Sequence, residues 1–177
     1  MRKRLAGFLG ALALILMLPN LVQGANPITV NSAATGPMVP AVRLHPPAPP
    51  VTVSSTLIGL VNAERAARGL PPMVADAKLE LAAQRHSEDQ ALHQLMSHTG
   101  SDGSTLGQRV DRVGFSWRSV AENVAYGYAT PTDVMTAWML SSGHRANILS
   151  ANTRIGIGLA YGANGQAYWT QVFATPA

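Results

Sequence analysis

The segment Ile155-Gly156-Ile157-Gly158-Leu159-Ala160-Tyr161 alternates strictly between a large side chain and a small one. A period of two is the signature of a strand. Its glycines leave one face almost bare, so another element, a helix, is expected to pack close to the backbone there. A second strand is predicted over Ala167 to Ala174. Gly162 to Gln166 joins the two as a hairpin, with Asn164-Gly165 as the turn signal.

Upstream the pattern turns helical. Ser54 or Ser55 is placed to cap a first helix whose apolar face is Leu57, Ile58, Leu60 and Val61; Arg68-Gly69 and Pro71-Pro72 close it. Asp76 caps a second helix, predicted to run to about Leu95 with Leu79, Ala82, Ala83, His86 and Gln90 in one stripe. A loop at 101–104 precedes a short helix from Thr105 to Val113, ended by Gly114. Val120 to Tyr126 reads as a strand. Thr130-Pro131-Thr132-Asp133 starts a further helix, with a capping threonine, proline in the first position and an acid at the third. Met135, Trp138 and Met139 follow on one face until Ser142-Gly143. Helices followed by a late hairpin describe an α+β chain, an antiparallel sheet between helical layers.

The first 53 residues are of another kind. Arg2-Lys3-Arg4 precedes the aliphatic run Leu5 to Leu18, then Pro19-Asn20 and the small residues before Ala25. Residues 1–24 therefore read as a secretory signal peptide; a retained anchor is the alternative, although the run is short and broken by Pro19. With no cysteine in the chain, a lipoprotein anchor is excluded. Residues 25–53 form a Pro/Ala-rich linker with seven prolines and almost no charge, expected to be extended. It is either a spacer or a leader without a role. Residues 54–177 are the folded domain. The net charge of +4 is mostly the leader's: without its three bases, ten bases face nine acids. No basic run remains, so nucleic acid is not an expected partner. An exported domain without disulfides must stand on its core, for which about 124 residues suffice.

Of five histidines, His45 lies in the linker, and His86 falls on the apolar stripe as a hydrogen-bonded core residue. His86 and His93 are roughly 10 Å apart along one helix and cannot share an ion. His98 sits before the turn-rich Thr99-Gly100-Ser101-Asp102-Gly103, and His144 follows Gly143 in what reads as a turn. Glu122 has apolar neighbours on both sides. If these three meet, two imidazoles and a carboxylate suit a Zn²⁺ with an open position, or a hydrogen-bonded polar cluster. Ser97, Ser141 and Ser142 lack a nucleophile elbow and read as caps and turns. Arg145 and Asn147 are expected to tie loops to backbone carbonyls, and Asn62 and Arg65 to knit the first helix to the sheet. Trp138, Trp169, Tyr168 and Phe173 are core or cleft wall.

Taken in order, Leu60 to Arg65, Ser97-His98, Ala121-Glu122-Asn123-Val124, Trp138 to Leu149, Gly156 to Ala160 and Tyr168 to Phe173 resemble the CAP superfamily. This is the SCP domain of cysteine-rich secretory proteins, antigen 5 and pathogenesis-related 1 proteins, here like its cysteine-free bacterial branch. The resemblance covers Ser54 to the C-terminus. It implies an α-β-α sandwich with a three- to four-stranded antiparallel sheet between helical layers, and a large cleft. In many eukaryotic members that cleft carries two histidines and two acids. By this resemblance His98 matches the first histidine and Glu122 the first acid. The second acid falls at Ser141 and the second histidine at Tyr168, so both are lost; His144 belongs to the bacterial pattern.

The expected function is a secreted, monomeric, non-enzymatic binding module. It would act extracellularly or at the cell envelope on an envelope, lipid or protein ligand. The cleft residues are His98, Glu122, His144, Ser141 and Tyr168. One alternative is a metal-dependent hydrolase holding Zn²⁺ or Ca²⁺ through His98 and His144, with Glu122 as ligand or base. The other is a lipid or sterol carrier using the groove near Trp138 and Trp169.

Overall fold

The computed structural model describes residues 52–177. The signal-peptide expectation and all but the end of the linker lie outside the described residues. The element order is α1 Val53–Ala66, β1 Val74–Ala75, α2 Ala77–His93, α3 Leu106–Arg112, β2 Trp117–Tyr126, α4 Pro131–Leu140, α5 Ser142–Ile148, β3 Arg154–Tyr161 and β4 Ala167–Pro176. The strands form one sheet in the order β1-β3-β4-β2. The three long strands are antiparallel, and β1 adds two residues parallel to β3 at one edge.

Helix starts follow local chemistry, with one shift. The cap of α1 is Thr52 rather than Ser54 or Ser55. Thr52 takes an extended backbone and accepts from the Ser55 N–H, while the Ser55 hydroxyl accepts from the Thr52 N–H. Ser55 is therefore the reciprocal partner of a capping box. Asp76 and Thr130 cap α2 and α4 as expected, and Thr105, read as the first residue of the short helix, is the cap of α3. The Ser142-Gly143 break is real but brief: Ser141 is extended, and a new helix, α5, starts immediately. His144 thus lies in α5, not in a turn.

The glycine face of β3 receives α2. A methyl group on Gly156 would stand 2.1 Å from the Leu79 carbonyl carbon, and one on Gly158 would stand 2.3 Å from the Ala83 oxygen. Leu79, Ala82 and Ala83 of α2 pack there with Val172 and Ala174. The other face of the sheet packs on α1, α4 and α5. Ile155, Ile157, Trp169 and Phe173 meet Leu57, Met135, Trp138 and Ile148, all buried. Asn62 and Arg65 hold loops rather than the sheet. Asn62 bonds both backbone groups of Met73, and Arg65 donates to the Pro71, Ile148 and Ser150 carbonyls.

The Gly127 N–H donates to the Ala167 carbonyl, which sets the phase of the β2–β4 ladder. Odd residues of β2 then bond β4, and the carbonyls of Glu122 and Val124 point away from the sheet. The Trp138 indole N–H reaches Val124 O at 3.3 Å and the Asn147 amide reaches Glu122 O at 3.1 Å. The α4–α5 pair is thereby fastened along this edge. No helix among the described residues is long and apolar enough to cross a membrane.

Candidate functional site

The site is built around Glu122, whose side chain is only 2% exposed. It stands on the α2 face of β2, and both oxygens are taken. Oε2 accepts from Arg109 at 2.7 Å, and Oε1 lies 2.9 Å from His98 Nδ1. A buried carboxylate needs such partners, because desolvation of an unpaired one is prohibitive. Arg109 comes from α3 and also donates to the carbonyls of His98 and Ser104 at 3.0 and 2.9 Å.

The loop holding His98 is fixed from three sides. The Ser97 N–H donates to the Gln90 side-chain oxygen at 3.2 Å, and the Ser97 carbonyl lies 2.8 Å from His86 Nε2. The third tie is Arg109 on the His98 carbonyl. Gln90 in turn donates to the Thr170 hydroxyl, which also accepts from Ser87. A buried polar chain therefore runs from β4 through α2 to the loop. His98 itself is 61% exposed at its side chain. With Nδ1 donating to Glu122, its Nε2 is left toward solvent. Its hydrogen bond with Glu122, opposed by partial burial, raises its pKa above the ordinary histidine value.

His86 is the core histidine expected from its stripe, with a side chain 1% exposed. Its Nε2 must carry the proton it gives to the Ser97 carbonyl, and burial lowers its pKa. The 3.9 Å from that nitrogen to Glu122 is too long for a hydrogen bond.

His144 approaches from the other helical layer. Its carbonyl accepts from Asn123, which joins Gln171 and Asn147 in a chain of side-chain amides. Its imidazole pKa is lowered by burial and then by the charge of His98. His144 and Ser141 help to line a cavity of about 280 Å³ with Met96, Tyr126, Tyr128 and Trp138. Tyr168 is buried and stacks under Tyr126, with ring centres 6.1 Å apart, and does not line that cavity. Trp169 and Phe173 are in the core, and the Trp169 indole N–H holds the Tyr128 carbonyl.

The expected residues thus fall into a hydrogen-bonded pair, His98 and Glu122, and a neighbouring aromatic cavity with Ser141 and His144. Among the described residues, no group of three or more His, Cys, Asp or Glu side chains is placed to hold a metal ion. Arg109 was missed from sequence. The available signal was indirect: a carboxylate among apolar neighbours calls for a cation, and Arg109 is on a short helix nearby in the chain. Arg145 and Asn147 behave as expected, donating to the Met139 and Glu122 carbonyls.

Comparison with known proteins agrees with this architecture. The uncharacterized protein YkwD of Bacillus subtilis is 34% identical over 147 residues, 81% of this chain. The chain spans only 56% of that relative's length. An extracellular protein containing an SCP domain from Bacillus anthracis superposes with a TM-score of 0.62 at 27% identity, over 69% of this chain and 40% of that one. An outer surface protein of Borrelia burgdorferi has the same fold, with a TM-score of 0.64 at 20% identity over 69% of this chain and 91% of that one. The family model for the cysteine-rich secretory proteins matches residues 58–173, a stretch holding both the polar pair and the aromatic cavity, and the chain belongs to that family, the CAP proteins.

Proposed function

We propose that the chain is a non-enzymatic binding module, acting outside the cytoplasm or at the cell envelope, whose ligand lies along the outer edge of β2. The commitment of Glu122 carries this reading. With one oxygen on His98 and the other on Arg109, the carboxylate orients His98 and is not at the disposal of a substrate proton. His98 then offers one exposed polar anchor. The cavity walled by Met96, Tyr126, Tyr128 and Trp138 takes Met96 from the same loop, two residues before His98. An apolar slot beside one polar anchor suits an amphipathic ligand, with a short apolar segment and a hydrogen-bonding head. The extracellular Bacillus anthracis relative and the leader-like N-terminus support export. Titration of the purified chain with laurate below its micelle concentration, followed by tryptophan emission, tests this. Saturable binding that weakens at least fivefold in His98→Ala, with unchanged unfolding, is expected. No saturable change, or ester or peptide hydrolysis abolished by His98→Ala, overturns it.

A metal-dependent hydrolase is the second reading, and one observation favours it. A carboxylate on Nδ1 is how proteins orient an imidazole whose Nε2 ligates a metal. Against it, a catalytic zinc takes three protein ligands, and His98 with His144 offers two. The donor set falls short, and no reaction step is derived through an ion. Metal analysis of the chain beside a His98→Ala/His144→Ala double variant separates the readings. One equivalent of zinc or calcium, lost in the variant, would favour the hydrolase.

A further inference from the structure

A second cavity, of about 240 Å³, lies between α2, the 101–104 loop and α3. Neither His98 nor His144 lines it. Its wall carries three guanidinium groups, Arg85, Arg109 and Arg112, two carboxylates, Asp89 and Asp102, and the ring of His86. Most of these groups are already engaged. Arg112 pairs with Asp102 at 2.6 Å. Asp89 accepts from the Ser101 N–H at 2.8 Å and lies 3.2 Å from His93.

Three groups keep unused capacity. Arg85 is exposed and enters no ion pair among the described residues. Arg109 spends three of its five N–H groups on His98, Ser104 and Glu122. His86 gives its Nε2 proton to Ser97, so its Nδ1 carries a lone pair, and that buried atom has no partner. A buried acceptor left without a donor is costly, and native proteins rarely keep one without a reason.

We propose that this cavity binds a small carboxylate that also carries a hydroxyl or ammonium donor. The carboxylate sits on Arg85 and Arg109, and the donor satisfies His86 Nδ1. Charge selects a ligand with a single carboxylate, because Asp89 and Asp102 in the same wall oppose a second negative group. The charged lining of this cavity sets it apart from the aromatic cavity and does not suit a lipid chain. The site shares Arg109 with the His98–Glu122 cluster, but none of its lining residues lines the aromatic cavity, and it does not depend on that assignment.

The test is NMR titration of the isotope-labelled chain with glycolate, using acetate and inorganic phosphate as comparators. Glycolate is expected to give saturable shifts at Arg85, at Ser101 to Ser104 and at the His86 imidazole. Its dissociation constant should be at least fivefold lower than those of acetate, which lacks the donor, and of phosphate. Arg85 is exposed and Arg85→Ala leaves the fold intact, so a tenfold loss of glycolate affinity in that variant supports the site. No saturable shift, equal binding of acetate or phosphate, an unchanged Arg85→Ala variant, or shifts at Tyr126 and His144 instead would each overturn it.

Discussion

The two faces of the sheet solve the same packing problem by opposite means. Toward α1, α4 and α5 the sheet offers Ile155, Ile157, Trp169 and Phe173, and the layers are held apart by large side chains. Toward α2 it offers Gly156 and Gly158, and the helix backbone descends almost onto the strand. That close approach brings α2 and its neighbouring loops near enough for short polar side chains to meet. The Ser87–Thr170–Gln90 chain and the Glu122–Arg109–His98 cluster both lie on this face. The aromatic face supplies volume, while the glycine face supplies proximity, and the charged half of the site is built where proximity is available.

The sharpest way to break this contrast is at the buried ion pair. Arg109→Ala leaves Glu122 buried without its cation and should cost about 3–5 kcal/mol in denaturant unfolding. Arg109→Leu combined with Glu122→Leu should recover most of that, because an apolar pair of similar volume is often neutral. If the single variant unfolds at the wild-type midpoint, the polar half does not depend on this pair. Next comes the difference in what each face tolerates. Gly158→Ala enlarges the bare face and should lose about 3 kcal/mol. On the other face truncation is what harms, and Ile157→Ala should lose about 2–4 kcal/mol. Ala160→Gly, on the bare side but partly buried, should stay within about 1 kcal/mol.

Smaller effects sharpen the picture. Ser87→Ala should cost about 1 kcal/mol by removing one buried hydrogen bond, and hydrogen exchange at Ser97 and His98 should quicken. The smallest effect is a pH signature. His98 has a raised folded pKa, so its contribution is complete below the unfolded value of about 6.5 and is lost as pH rises through the folded one. His86 and His144 have lowered folded values, so they act in the opposite sense. Their neutral forms are tolerated above about pH 6.5, and stability falls as pH drops below it toward the folded values. The stability difference between wild type and His98→Gln should therefore be largest near pH 6 and shrink above it. It should stay below about 1 kcal/mol because His98 is mostly exposed. A difference that grows with pH would contradict the His98–Glu122 bond.

What was legible in the sequence was local. Caps with a hydroxyl or carboxylate, the Thr130-Pro131 start, the period-two glycines and the Asn164-Gly165 turn each act within a few residues, and all stand where they were read except the cap of α1, which moves to Thr52. His98 and Glu122 were legible as a chemical type in a turn-rich or apolar context. Three things were not. β1 is two residues long, too short for any period. α5 follows Ser141 without a side-chain cap bond and carries Gly143 in its first turn, so it reads as a break. Arg109 pairs across elements with Glu122, and a non-local partner leaves no mark on its own neighbours. The same holds for Tyr168, whose place beneath Tyr126 depends on strand register.

The carbonyls of Glu122 and Val124 point out of the sheet and end on Asn147 and Trp138. β2 is a ten-residue edge, the longer of the two edges of this sheet. An open row of carbonyls of that length is a template on which the strand of another molecule can crystallise out of solution. Here the template is already written over by an indole and an amide, while the opposite edge is two residues of β1. Strand addition by a neighbour would have to displace two side chains, one of which also walls the aromatic cavity.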